Sequence, residues 1–253
     1  MLPGIQNLNF FNFLVTVVSE FFTRRELRHV TLTITARQIL FTGYEALSII
    51  TLSAVAVGAV IVLQGNSVLD NFSQSPMYYT ILVAIIPREL STLLTALIVI
   101  ARSGTAISTE IGNMNINNET LAIYSFGISP IAYLAIPRVI GMVASVVCLT
   151  IYFNVAAFAS SWFVNFLSDA VIPSHFLFEL FTALSITDLL MGIIKSTLFG
   201  FFIGVIACYN GFKVQRAITE VPQRTIKTVV NSVASLVLLD IFVTALFYLY
   251  FYE

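Results

Sequence analysis

Four charged side chains inside long apolar runs are the residues of this chain whose types and spacing could do chemistry. Arg88 and Glu89 are adjacent, and Lys195 and Asp240 each interrupt a run that is otherwise uncharged. A charge at the centre of a bilayer costs about 2.5–3.5 kcal/mol on insertion scales, so such residues usually pair with one another or serve a function. The chemistry on offer is ion pairing, a proton or ion relay, or contact with a charged group of a ligand.

The composition shows which class of protein holds these charges. The chain has 253 residues, of which 58% are hydrophobic and only 10% are charged, whereas soluble domains have about 25% charged residues. An integral membrane protein is therefore expected, as one domain over 1–253 with an interfacial segment 1–36 and a transmembrane core 37–253. The net charge of −1 provides no basic stripe for nucleic acid.

Apolar runs of membrane-spanning length predict an all-α fold with five transmembrane helices, because about 20 apolar residues cross the hydrocarbon core. The N-terminal segment 5–30 alternates apolar and polar residues at helical spacing, which favours an amphipathic helix lying in the interface. A sixth crossing is the alternative for that segment. The polar segment 104–130 predicts short helical stretches between the second and third crossings. The five crossings cover approximately 46–65, 78–103, 137–165, 188–211 and 228–251.

The distribution of Lys and Arg predicts the orientation of these helices. Four arginines precede the first crossing and loop 212–227 has four Lys or Arg residues, whereas loops 66–77 and 166–187 have none. Since basic loops stay on the cytoplasmic side, the N-terminus and the 104–130 segment are expected in the cytoplasm and Glu253 on the far side.

Helical rise then predicts which buried charges meet. At 1.5 Å per residue, Lys195 lies about 11 Å and Asp240 about 12 Å from the same membrane face. We therefore expect Lys195 and Asp240 to form a buried charge pair. Arg88 and Glu89 lie not far from that depth, and we expect them to face a protein-lined or water-filled cavity. The alternative is an internal network that only fixes helix packing.

Motifs for catalysis are absent from the sequence. It has no G-x-x-x-x-G-K-[ST], G-x-S-x-G or H-E-x-x-H pattern. Cys148 and Cys208 lie in apolar runs without a His or Cys at metal-ligand spacing, which is typical of packing residues. We therefore expect no catalytic residue, no metal and no cofactor.

A series of short segments from residue 87 onward resembles the MlaE/YrbE family, the permease subunits of lipid ABC transporters that act with MCE-domain proteins. The order and spacing of the segments carry the resemblance, which extends over nearly the whole chain from about residue 37. They include REL (88–90), LLTAL (93–97), TEIGNM (109–114), NETL (118–121), GISPIAYLAIPR (127–138), RTIKTVVNS (224–232) and LDIFVTAL (239–246).

The resemblance implies a function and a set of partners. The chain would move phospholipids or related lipids between the bacterial inner membrane and an MCE-domain periplasmic pathway, helping to maintain outer-membrane lipid asymmetry. It would be non-catalytic, since ATP hydrolysis would lie on a separate cytoplasmic ATPase (MlaF-like). The other implied partners are a second copy of the chain, an MCE-domain protein (MlaD-like), a small cytoplasmic STAS-domain subunit (MlaB-like) and membrane lipids.

The resemblance also implies roles for particular residues. The polar segment would contain a cytoplasmic coupling helix that docks on the ATPase. Ser91-Thr92 replaces the Gly-Pro that commonly follows REL, and Pro87 precedes Arg88 instead, which moves the expected helix break by a few residues. The lipid-cavity candidates, for which ordinary helix packing is the alternative, are Leu69, Phe72, Arg88, Glu89 and Leu90, and the ATPase-coupling candidates are Glu110, Asn118 and Glu119.

Two other functions remain open from the residues themselves. An ion-coupled secondary transporter would use Glu89, Lys195 and Asp240 as a relay, although the chain shows no two-fold internal repeat and five crossings do not divide evenly. A purely structural membrane scaffold is the third interpretation.

Overall fold

The computed structural model describes residues 9–23, 28–68, 76–168, 173–215 and 217–251, and these are helical with short connections and without β-strands. The α-helices are α1 (Phe10–Thr23), α2 (Arg28–Val68), α3 (Pro76–Ile85), α4 (Ser91–Val99), α5 (Thr105–Ile116), α6 (Glu119–Ser125), α7 (Ile136–Leu167), α8 (Pro173–Ala183), α9 (Ile186–Phe212) and α10 (Glu220–Phe251), and the π-helical turns are Ile86–Leu90, Ile100–Gly104 and Ile131–Ala135.

Five helical segments of the described chain are long and apolar enough to cross a membrane, which confirms the predicted number. The second is a continuous rod made of α3, α4, α5 and the two π turns between them, so it extends beyond the predicted end at residue 103. The predicted polar segment therefore begins as a continuation of this rod, and the separate short helix is α6. The segments are Thr33–Gly65, Met77–Ile116, Ile131–Leu167, Ile186–Phe212 and Glu220–Leu249.

The N-terminal helix α1 is too short to span, because 14 residues rise only about 21 Å. The interfacial prediction is therefore confirmed over the sixth-crossing alternative. Phe13 is buried and packs on the rings of Tyr209 and Phe212, with centroids 5.6 and 6.0 Å apart. Phe11 and Phe21 are exposed on the rest of the helix.

Two glycines set the close contact between α7 and α9. A Cβ atom on Gly200 would lie 2.7 Å from the Cα atom of Val143, and one on Gly204 would lie 3.0 Å from the Cα atom of Val139. The G-x-x-x-G spacing therefore lets the two backbones approach directly, as small residues do between membrane helices.

The π turns bend the ladder of backbone hydrogen bonds at defined points. Ser91 N–H donates to the carbonyl of Ile86, five residues earlier. Pro87 has no N–H to donate and its ring crowds the preceding turn, so the regular ladder cannot pass through it. The sequence predicted a break near Pro87, and the structure places it at Ile86–Leu90.

Candidate functional site

The π turn Ile86–Leu90 presents both side chains and backbone carbonyls toward α9. The carbonyl of Arg88 accepts a hydrogen bond from Lys195 Nζ at 3.2 Å, and the carbonyl of Glu89 accepts one from Thr92 Oγ1 at 3.0 Å. Irregular backbone inside a membrane is stable only where such donors replace the missing helix bonds. The turn is therefore built as a polar feature within an apolar rod.

Lys195 on α9 lies at the centre of the charge cluster, by which we mean Arg88, Glu89, Asp188, Lys195 and Asp240. Its side chain is 0% exposed, and Nζ donates to Glu89 Oε2 at 2.7 Å. Nζ also lies 2.8 Å from Asp240 Oδ1, which accepts no hydrogen bond in the described part of the chain. The structure thus brings the predicted pair into ionic contact and adds Glu89 as the hydrogen-bonded partner.

Arg88 is held by a residue that sequence reasoning missed. Its Nε donates to Asp188 Oδ1 at 2.6 Å, and the Asp188 side chain is only 1% exposed. The second oxygen of Asp188 accepts the N–H of Ser185 at 3.1 Å, which closes a capping box at the start of α9. The signal available in the sequence was Ser185 followed three residues later by Asp188, directly before an apolar run.

One face of α10 completes the cluster. Asp240 contacts Lys195, and Thr244 Oγ1 donates to Glu89 Oε1 at 3.3 Å. Tyr248 forms a side-chain hydrogen bond with Arg88. Because residues four apart share a helix face, Asp240, Thr244 and Tyr248 form a single stripe of α10 that contacts the charge cluster.

Burial divides the cluster into a floor and a rim. Lys195 and Asp188 are inaccessible, whereas the Glu89 side chain is 33% exposed and that of Arg88 is 18% exposed. Buried ions are tolerated when each has a close partner and further hydrogen bonds, and the floor residues meet that condition. The rim offers a cationic and an anionic group side by side to a ligand.

The remaining lipid-cavity candidates are placed only in part. Leu90 ends the π turn and is half-buried. Leu69 and Phe72 lie outside the described residues. Whether Arg88, Glu89 and Leu90 line a lipid cavity stays a prediction, and their position on one turn is compatible with it.

The coupling candidates divide between two places at one end of the bundle. Asn118, with φ 60°, turns the chain from α5 into α6, and Glu119 in the first turn of α6 is exposed. Glu110 lies earlier, on α5, where its Oε1 atom forms an ion pair with Arg138 Nη2 at a distance of 2.8 Å. The role of these three residues in ATPase coupling stays a prediction.

A family comparison decides what kind of protein presents these features. The model described as Permease MlaE matches residues 35–246. The chain belongs to the MlaE permease family. It is 31% identical over 217 residues to a probable ABC transporter permease protein of Rickettsia prowazekii, covering 86% of this chain and 84% of that protein.

Relatives from plastid-bearing organisms also match this MlaE permease. A probable ABC transporter permease protein, ycf63, of Pyropia yezoensis is 30% identical over 85% of this chain and 80% of its own length. The protein TRIGALACTOSYLDIACYLGLYCEROL 1, chloroplastic, of Arabidopsis thaliana is 29% identical over 85% of this chain and 61% of its own length. This chain is thus a multi-pass membrane protein and an ABC transporter permease subunit, which implies an ATPase partner.

The end of the MlaE permease that carries α6 has an exposed aromatic surface. We call Glu119, Tyr124 and Phe126 the α6 surface. Phe126 is 82% exposed and Tyr124 is also well exposed, and sequence reasoning did not identify either one. Exposed aromatic side chains are typical of contact sites for another protein.

Hydrogen bonds of residues on either side of α6 tie this part of the MlaE permease to the membrane helices. Asn115 Nδ2 donates to the carbonyls of Phe212 and Val214 at 2.8 and 3.1 Å, at the end of α9. Ser129 Oγ, just after α6, lies 2.8 Å from each carboxylate oxygen of Glu20 on α1. The segments that flank α6 are therefore anchored to the end of α9 and to α1.

Proposed function

We propose that this MlaE permease moves phospholipids or related lipids, using the charge cluster as the polar part of the lipid path. The observation that carries the proposal is the pairing of Lys195 with both Glu89 and Asp240, at distances of 2.7 and 2.8 Å. Three membrane helices thereby place charges of both signs within an apolar helix bundle. A phospholipid has a charged head and an apolar body, and it needs both environments.

The family relationships support a lipid cargo in one further way. The name of the Arabidopsis relative is that of a glycerolipid, trigalactosyldiacylglycerol. Carried to this chain, that name favours a diacyl lipid over a soluble solute. The proposed route runs between the bacterial inner membrane and an MCE-domain periplasmic pathway, in support of outer-membrane lipid asymmetry.

The proposed assembly is the one that the family resemblance implies. A second copy of the chain would form a dimer, and an MlaF-like ATPase would dock on the α6 surface in the cytoplasm. An MlaD-like MCE-domain protein would lie on the periplasmic side, and an MlaB-like STAS-domain subunit would complete the cytoplasmic part. The N-terminus would then be cytoplasmic and the C-terminus periplasmic.

The ion-coupled alternative is less well supported by the geometry. A relay through Glu89, Lys195 and Asp240 needs a charged group that changes partner during transport, whereas Lys195 is fully enclosed and already paired with both carboxylates. The exposed rim of Arg88 and Glu89 fits a ligand that arrives from one side. An ABC permease also draws its driving force from an ATPase and requires no ion relay of its own.

Site-specific photo-crosslinking tests the proposed lipid path. A photoreactive amino acid would replace Leu90 on the π turn, and a second variant would carry it at the exposed Leu238 on α10 as a control. In the complex with its ATPase, capture of phospholipid at Leu90 is expected to change when ATP is added, while capture at Leu238 stays constant. Absence of phospholipid at Leu90, or capture there that ignores ATP, would contradict the proposal.

A further inference from the structure

A cavity with charged side chains in its lining lies at the end of the bundle that carries α6, far from the charge cluster. It has a volume of about 890 Å³ and lies between α2, α5 and the start of α7. Its polar lining includes Arg37, Glu110 and Arg138. From residue 88 to residue 110 the second membrane rod rises about 33 Å, so this cavity is at the opposite level of the molecule.

Arg138 is the most informative residue of this cavity. It is only 6% exposed, and its Nη2 atom forms an ion pair with Glu110 Oε1 at 2.8 Å. Its Nη1 atom is buried and has no hydrogen-bond partner among the described residues. Buried polar groups are nearly always satisfied, so an unpaired guanidinium nitrogen beside a cavity indicates a missing acceptor.

Arg37 adds a second guanidinium to the same cavity. It is exposed, and it forms no ion pair with the described part of the chain. Ile34, Arg37 and Phe41 share one face of α2 because they are three or four residues apart, and all three line the cavity. Two guanidinium groups face one carboxylate, so the cavity has a positive formal balance and an apolar margin.

We propose that this cavity binds a phosphate group, with the phosphodiester of an anionic phospholipid as its ligand. A phosphate has only acceptor oxygens, which suits the free donors of Arg138 and Arg37, and guanidinium groups bind phosphate with matched geometry. Ile34 and Phe41 offer an apolar margin for the first part of the acyl chains. The site stands independently of transport, since occupancy requires neither ATP nor the charge cluster.

Binding to the purified full chain tests this site. Native mass spectrometry would count molecules of phosphatidylglycerol bound to the wild type and to Arg37→Gln, Arg138→Lys and Lys227→Gln. Lys227 is an exposed cation on α10 outside the cavity lining, so Lys227→Gln is the charge-matched control. Arg138→Lys removes the guanidinium group but keeps the positive charge opposite Glu110. It therefore tests the role of Arg138 even if a variant without this charge fails to fold.

The expected result is a loss of about tenfold in phosphatidylglycerol affinity for Arg37→Gln, the effect of one charge-assisted hydrogen bond. Arg138→Lys is expected to weaken binding in the same direction, and Lys227→Gln is expected to leave it unchanged. Competition with glycerol 3-phosphate separates the sources of phosphate. Displacement at equal concentration indicates a free phosphate ester, and no displacement indicates the lipid.

Three outcomes would overturn the assignment. Diacylglycerol, which has no phosphate, would bind as well as phosphatidylglycerol if the cavity only held acyl chains. Equal affinities of the wild type and of both arginine variants would show that phosphate does not contact these guanidinium groups. An equal loss in Lys227→Gln would show that only the overall charge of the chain matters.

Discussion

Lys195 Nζ lies 2.7 Å from Glu89 Oε2 and 2.8 Å from Asp240 Oδ1, so one buried ammonium group joins three membrane helices. The same nitrogen donates to the carbonyl of Arg88 in the π turn. The cation therefore stabilises the irregular backbone as well as two carboxylates. Its removal would leave negative charges without a partner inside an apolar bundle.

Replacement of this ammonium group should be strongly destabilising. Lys195→Met keeps the length of the side chain but leaves Glu89 and Asp240 unpaired, which is expected to cost about 3–5 kcal/mol. Thermal unfolding in detergent, followed by loss of the folded peak in size-exclusion chromatography, measures the effect. Lys227→Met on the exposed side of α10 is the control and should change stability by less than about 0.5 kcal/mol.

Exchange of the two charges tests the pairing itself. If Lys195 and Asp240 interact mainly with each other, Lys195→Asp with Asp240→Lys should fold better than either single change. Because Glu89 also contacts the ammonium group, the recovery should be partial. A double variant that is no better folded than the single ones would contradict the pairing.

Asp188 should be needed for the position of Arg88. Asp188→Ala removes the 2.6 Å bond to Arg88 Nε and the cap on Ser185 N–H. The expected loss is about 1.5–3 kcal/mol for the hydrogen bond to a charged group, with about 1 kcal/mol more from the lost cap. Ser185→Ala removes only the capping hydroxyl and serves as the matched comparison. Equal stabilities for these two variants would show that Arg88 does not depend on Asp188.

Gly200 should tolerate no side chain. The nearest atom to an added Cβ is a backbone Cα at 2.7 Å, so α7 and α9 would have to separate, and overpacking of this kind costs about 1–3 kcal/mol. Gly43→Ala on α2 is the control, because nothing lies within 4 Å of its added Cβ. There, alanine should stabilise the helix by about 0.5–1 kcal/mol. The same change in unfolding temperature at both sites would contradict the helix contact.

The α6 surface should bind the ATPase. Phe126→Ala and Glu119→Arg each alter an exposed side chain, so they are expected to reduce co-purification of the ATPase while leaving the helices folded. Phe178→Ala on α8, at the opposite end of the bundle, removes a similarly exposed ring and should have no effect. Normal recruitment of the ATPase by both α6 variants would rule out this docking surface.

The number of membrane helices and their positions along the chain were predictable, because each crossing is an apolar run in the sequence. The depths of Lys195 and Asp240 followed from helical rise alone, and the structure places them in contact. The break at Pro87 was predictable since proline removes a backbone donor. The π turn at Ile100–Gly104 contains no proline, so its sequence does not predict a break in the helix.

Contacts between helices were harder to predict, because they depend on the rotation of each helix about its axis. Asp188 directly precedes an apolar run, where a carboxylate is typical of a solvated helix cap. In the structure it is both a cap and the partner of Arg88. Glu110 was assigned to the ATPase contact by resemblance, yet its carboxylate pairs with Arg138. Helical rise gives the depth of such residues, but the partner depends on tertiary packing.

The central claim is that this chain moves phospholipid in an ATP-dependent complex through the charge cluster. The most direct measurement is transfer of fluorescent phospholipid in proteoliposomes containing the permease, its ATPase and its MCE partner. Transfer is expected to require ATP, to persist when ion gradients are collapsed, and to fall at least about tenfold in Arg88→Gln, the effect of losing one charge-assisted hydrogen bond. Transfer that is driven by an ion gradient without the ATPase, or that is unchanged in Arg88→Gln, would contradict it.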